Sequence, residues 1–137
     1  MQSKFRRHWL QAALVGTALA FAGSAMAQNY PSKPIRLVVP FTPGGVTDTS
    51  GRLIAEQLSK RLGQQVVVEN RAGANGAIAA EALLKAPADG QMLWLSSVGA
   101  ISINPGLYPN LPYDPVRDLA AVSLVVNNVE MLVVHPN

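Results

Sequence analysis

Five short apolar runs punctuate the chain beyond residue 28, with glycine- and proline-rich turns between them. Residues 35–41 (IRLVVPF) are apolar and rich in β-branched side chains, which predicts a strand that Pro40 weakens at its end. Residues 42–45 (TPGG) form a turn with two glycines free to take positive φ. Residues 48–62 have helical spacing, with Leu53, Ile54, Leu58 and Leu62 predicted on one side. Glu56 and Lys60 are predicted as a solvent-side i,i+4 pair, Thr47 or Asp48 as the N-cap, and Gly63 as the terminator. Residues 66–69 (VVVE) predict a second strand, and 70–76 (NRAGANG) a second glycine loop. An alanine-rich helix over 77–86 stops at Pro87, and residues 92–95 predict a third strand.

That alternation of strand and helix predicts an α/β fold with a parallel sheet and helices on its faces. Residues 96–119 read as irregular, with Pro105, Pro109, Pro112 and Pro115 spread through them. Two further apolar runs, 122–126 and 131–134, either pair as strands or feed a crossover.

The first 27 residues have a different pattern. Lys4, Arg6 and Arg7 precede an apolar stretch that ends in Ala25-Met26-Ala27. This is the order of a secretory signal peptide, cleaved after Ala27, and it predicts an exported protein. The stretch is short for a bilayer span of roughly 20 apolar residues, so no stable membrane anchor is expected. The domain reading is therefore a signal peptide over 1–27 and one α/β unit over 28–137.

Cleavage changes the charge argument. The formal charge of +3 comes from 11 basic and 8 acidic residues, and three of the basic ones leave with the signal. The mature chain is formally neutral and has no basic run, so nucleic acid is not an expected partner. With no cysteine, disulfides, thiolate metal sites and a cysteine nucleophile are excluded.

The candidate chemistry lies where the glycine loops follow a strand and open a helix. This is the strand end at which open α/β sheets bind ligands. Helix N-termini there present free N–H groups and positive potential, and Gly44 and Gly45 admit a ligand close to the backbone. A small carboxylate is the natural guest; a plain tight turn with a helix cap is the alternative. Asp48 caps the helix, accepts from a ligand, or does both. Ser96, Ser97, Ser102 and Asn104 offer hydroxyl and amide groups to a ligand, or form an ordinary surface loop. Trp94 is expected in the core. No catalytic or phosphate-binding motif is present, and His135 is the only histidine after residue 27. No metal or cofactor is expected.

These segments together resemble the Bug family, the periplasmic solute receptors of tripartite tricarboxylate transporters. The resemblance is carried by residues 34–41, Pro43-Gly44-Gly45 with Asp48 and Arg52, residues 62–64 and 66–71, and Gly73-Ala74-Asn75-Gly76. It continues through Asp89-Gly90, Asn104-Pro105 with Leu107-Tyr108, and Leu111-Pro112-Tyr113-Asp114. It implies the first lobe of a type II periplasmic-binding-protein-like fold, incomplete at its C-terminus. It also implies a non-catalytic receptor that delivers a small carboxylate or related metabolite to membrane permease subunits. The implied ligand-binding residues are Phe41, Pro43, Gly44, Gly45 and Asp48 in the first loop, Ala74, Asn75 and Gly76 in the second, and Ser97 and Asn104 in the third.

The sequence departs from the family pattern at Ala72, where proline is common, and at Gln91, where an aromatic residue is common. It is also short beside receptors of roughly 300 residues with two lobes of ordinary domain size. Two alternatives stay open: a truncated, non-functional remnant of such a receptor, and a fragment of an exported α/β enzyme.

Overall fold

The computed structural model describes residues 29–127. The expected signal segment with its expected cleavage site, the apolar run 131–134 and His135 lie outside the described residues. The chain divides into two units at Ser32–Lys33. Residues 29–32 belong to the first and contain a cis Tyr30–Pro31 peptide. The strands and helices of the described residues all belong to the second.

The three predicted strands form and are parallel. Strand β1 (Ile35–Val39) lies in the middle, with β2 (Val66–Asn70) on one side and β3 (Met92–Trp94) on the other. The register sets Ile35 beside Val66, Val39 beside Asn70 and Leu37 beside Leu93. β1 ends just before Pro40, which has no N–H to give to a ladder. Side chains alternate between the two faces, and the two faces have different cores. Ile35, Leu37 and Val66 pack with Ala55, Leu58, Val68, Leu93 and Leu95. On the opposite face, Ala77, Ala80 and Tyr113 pack with Trp94, Leu111 and Leu119.

Helix α1 (Val46–Leu62) covers the first face and ends at Gly63 in the left-handed conformation, as predicted. Two expectations about it are corrected. Its N-cap is Gly45, without a side-chain cap, rather than Thr47 or Asp48. Its buried residues are Asp48, Gly51 and Ala55; of the predicted apolar side, Leu58 packs against the core and Ile54 is half-buried, but Leu53 is 61% exposed and Leu62 is exposed as well. The cause is close approach. A Cβ at Gly51 would lie 3.1 Å from Val39 Cγ2 and 3.2 Å from Leu95 Cδ2, so the helix meets the sheet through its smallest residues. Ser59 fixes the exit: its hydroxyl donates to the Ala55 carbonyl and accepts from the Val66 N–H.

Helix α2 (Ala77–Leu84) is slightly shorter than predicted and buries Ala77, Ala79 and Ala80. Residues 96–119 are more ordered than expected. A π-helical turn over Gly99–Ile103 leads into the short helix α3 (Asn104–Leu107), whose Pro105 sits in the first turn, where a missing N–H costs no bond. Trp94 is half-buried and meets Tyr113 edge-on at 5.8 Å. Residues 122–126 form no strand, and Val122 and Leu124 are exposed. Among the described residues, β2 and β3 are the sheet edges.

Candidate functional site

Because the strands are parallel, the segments leaving them emerge at one end of the sheet. These segments are residues 40–45 after β1, 71–76 after β2 and 95–104 after β3. All ten residues expected to bind ligand lie on them or in the first turn of α1 just beyond.

The first loop is tied down by buried charge. Asp48 is 2% exposed, and its carboxylate accepts from the Gly44 N–H at 2.9 Å, Arg52 Nε at 2.9 Å and Asn70 Nδ2 at 2.8 Å. Asn70 Nδ2 also donates to the Phe41 carbonyl at 3.0 Å, and Asn70 Oδ1 accepts from Arg52 at 3.3 Å. Asn70 reaches this spot because the register places it beside Val39, on the face that α1 covers. The guanidinium of Arg52, the Gly44 N–H and the Asn70 amide hold the Asp48 carboxyl well below the usual carboxylate range. Asp48 therefore reaches back from the first turn to hold Gly44, much as the acidic residue of a capping box does. Pro43, Gly44 and Gly45 are exposed, and Phe41 is half-buried. With no side chain capping α1, its first-turn N–H groups stay available at the loop.

The second loop has an unusual backbone. Gly73, Ala74, Asn75 and Gly76 all have positive φ, at 131°, 46°, 47° and 91°. Ala74 and Asn75 are exposed, whereas Gly76 is buried where the three loops meet. A Cβ at Gly76 would lie 3.0 Å from Ala100 Cβ, 3.5 Å from Pro40 Cβ and 3.5 Å from Trp94 Cζ2.

In the third segment, Asn104 is fully buried rather than presented to solvent. Its Oδ1 accepts from Asn75 Nδ2 at 2.8 Å, and its Nδ2 donates to the Asn75 carbonyl at 3.1 Å and to Tyr113 Oη at 3.2 Å. Ser97 is half-buried, and its hydroxyl accepts from the Ala100 N–H at 3.3 Å. The structure thus brings Phe41, Pro43, Gly44, Gly45 and Asp48 into one supported loop, and joins Ala74, Asn75 and Gly76 to Asn104. Sequence reasoning gave no role to Asn70 or Tyr113. Asn70 ends a strand and Tyr113 sits among prolines, and only the strand register and the tertiary packing show what either touches.

Farther along the sheet, Arg36 forms a bidentate pair with Glu69, which keeps the Glu69 carboxyl below its ordinary range. This pair lies on the α2 face of β1 and β2, and Glu69 also pairs with Arg71, the first residue of the second loop, at 3.5 Å.

The chain is 44% identical over 128 residues to Protein BugT of Bordetella pertussis, covering 90% of this chain and 39% of that protein. MatC from Rhodopseudomonas palustris, solved with bound malate, is 39% identical with a TM-score of 0.62, over 70% of this chain and 33% of that one. A second R. palustris protein, solved with adipate, is 44% identical with a TM-score of 0.60, over 64% of this chain and 29% of that one. The periplasmic binding protein BugD shares the fold at 39% identity. The chain spans about two fifths of the length of the curated relatives it matches. Among the described residues no helix is long and apolar enough to cross a membrane. Residues 51–137 match the tripartite tricarboxylate transporter family receptor, TctC, and it is to this family of solute receptors that the chain belongs.

Proposed function

We propose that this chain supplies the first-lobe face of an exported receptor that binds a small carboxylate for uptake by a tripartite tricarboxylate transporter. The observation that carries the reading is the convergence of the three strand-end segments on Gly76, at the same end of the sheet as the uncapped N-terminus of α1. Such an N-terminus favours an anion through its free N–H groups and the helix dipole. The negative charge of Asp48 does not oppose this, because Arg52 pairs with it at 2.9 Å. Gly44 and Gly45 leave the backbone open to a carboxylate, and Asp48 and Asn70 hold the loop in place. Ala74 and Asn75 form the neighbouring wall. Ser97 and Asn104 act from the third segment, Asn104 through Asn75 rather than by direct contact. The malate and adipate in the related structures support a short dicarboxylate as the ligand class.

The same reading includes export. The basic, apolar and small-residue order of residues 1–27 supports cleavage after Ala27, and the mature protein would hand its ligand to permease subunits in the membrane. N-terminal sequencing of the exported protein is expected to begin at Gln28.

Calorimetric titration of the protein, as its cell exports it, with malate, adipate and further di- and tricarboxylates tests the binding reading. Saturable binding of at least one is expected. A ligand at 100 times its Kd then stabilises the folded state by about 2.7 kcal/mol. No heat and no melting shift across that panel, or across amino acids and nicotinate-like compounds, would overturn the reading.

A further inference from the structure

We propose that Asn104 and Tyr113 are positioning residues that latch the second loop in its left-handed conformation and so set the wall of the ligand site. This inference rests on the receptor reading for its consequence, though not for its geometry. Left-handed backbone is unfavourable for residues with a Cβ, and asparagine tolerates it better than alanine. Here Ala74 and Asn75 adopt it in succession, between two glycines that also have positive φ. Such a segment persists only where its surroundings over-determine it.

The surroundings here form one directed chain of hydrogen bonds. Asn75 Nδ2 donates to Asn104 Oδ1 at 2.8 Å, and Asn104 Nδ2 returns a bond to the Asn75 carbonyl at 3.1 Å. The Asn104 amide therefore grips both the side chain and the backbone of the strained residue. Its second N–H goes to Tyr113 Oη at 3.2 Å, and Tyr113 Oη donates to the Ala100 carbonyl at 2.6 Å. Each donor in the chain meets an acceptor, so the Asn104 amide has a single satisfied orientation. Asn104 is fully buried and Tyr113 is 4% exposed, so water does not substitute easily for either.

Packing completes the latch. A Cβ at Gly99 would lie 2.7 Å from Asn75 Nδ2, so the Asn75 amide rests directly on glycine backbone. Tyr113 lies in the segment after α3, far in sequence from the loop it steadies. The Gly76 N–H to Gly73 carbonyl bond, 3.0 Å long, closes the turn and reports whether the loop holds its shape.

The test is amide hydrogen exchange at Gly76 in the full exported protein, together with calorimetric titration with malate and adipate. Asn104→Leu is expected to speed Gly76 exchange at least tenfold while the exchange of β1 amides is retained. Tyr113→Phe, a milder change that keeps the ring packing, is expected to speed it severalfold. Adding Ala74→Gly to Asn104→Leu removes the steric penalty at one left-handed residue and is expected to recover part of the lost protection. A role in general stability alone would not give that rescue. Unchanged Gly76 exchange in both Asn104→Leu and Tyr113→Phe, or equal acceleration at Gly76 and along β1 with no rescue, would overturn the latch. If neither carboxylate binds the unmodified protein while Gly76 exchange follows the expected order, the receptor reading fails and the latch stands.

Discussion

Gly76 is the residue on which the convergence of the three loops is most sharply tested. Replacing it with alanine makes two independent demands. The first is conformational: φ at Gly76 is 91°, and left-handed backbone costs an L-residue roughly 1–2 kcal/mol. The second is steric. The new Cβ would lie 3.0 Å from Ala100 Cβ, well inside the separation of about 3.5–4.0 Å that carbon atoms prefer. It would also touch Pro40, in the first loop, and Trp94 at the end of β3, while Ala100 belongs to the third segment. Overpacking of this kind costs about 1–3 kcal/mol, so the total is about 2–5 kcal/mol.

Gly63 supplies the control. Its φ is 63° and a Cβ there meets nothing within 4 Å, so Gly63→Ala carries the conformational cost alone. Urea denaturation and thermal melting of the two variants side by side therefore isolate the packing. Gly76→Ala should be the less stable by about 1–3 kcal/mol, and about 4–8 °C in Tm is expected per kcal/mol for a domain of this size. Malate and adipate binding should weaken in Gly76→Ala and stay unchanged in Gly63→Ala. Two variants equal to within about 0.5 kcal/mol would refute the claim that the loops meet at Gly76.

Three more outcomes are expected from other parts of the chain. Gly51→Leu should lower the unfolding free energy by at least about 1–3 kcal/mol, because Val39 and Leu95 already stand within 3.2 Å of the Cβ position; urea titration reads this directly. Gln91 is 6% exposed and its Oε1 has no partner among the described residues. Gln91→Met removes that orphaned acceptor at similar volume, and should raise stability by about 1 kcal/mol in the same assay. Acid sensitivity should trace largely to Asp48, whose folded-state pKa is depressed by Arg52, Gly44 and Asn70. A depressed carboxyl contributes stability above its unfolded pKa of about 3.9. That contribution declines as pH falls below about 4, so urea midpoints should hold steady from pH 7 to 5 and then drop. Asp48→Asn should flatten the drop, and an unaltered acid limb in that variant would count against the assignment.

The elements were legible in the sequence because their local signals agree with the tertiary outcome. Pro40 ends β1, Gly63 ends α1, β-branched runs mark β1 and β2, and a short apolar run marks β3. The buried face of α1 was not legible. Helical periodicity weights large apolar residues such as Leu53, while the sheet approaches through Gly51 and Ala55, whose importance is steric. The placement of the candidate loops at one end of the sheet was legible, since strand–glycine–helix order marks the strand ends of an α/β sheet. Its internal wiring was not. Whether the Asp48 carboxylate faces solvent or Asn70 depends on the register of β2 against β1. The role of Asn104 depends on Tyr113, a residue of an irregular, proline-rich segment whose burial the sequence does not show.

If the strand-end loops of β1, β2 and β3 form one carboxylate-binding surface, a ligand must be felt at all three at once. Titrating malate and adipate into isotope-labelled protein, and following the backbone amides by NMR, puts that to the test residue by residue. Saturable shifts are expected in all three segments, concentrated at Gly44, Gly45, Val46, Asn75, Gly76 and Ser97. Shifts concentrated at the opposite end of the sheet, around Gln65 and Gln91, or none at saturating concentration, would mean that the loops are not the binding surface.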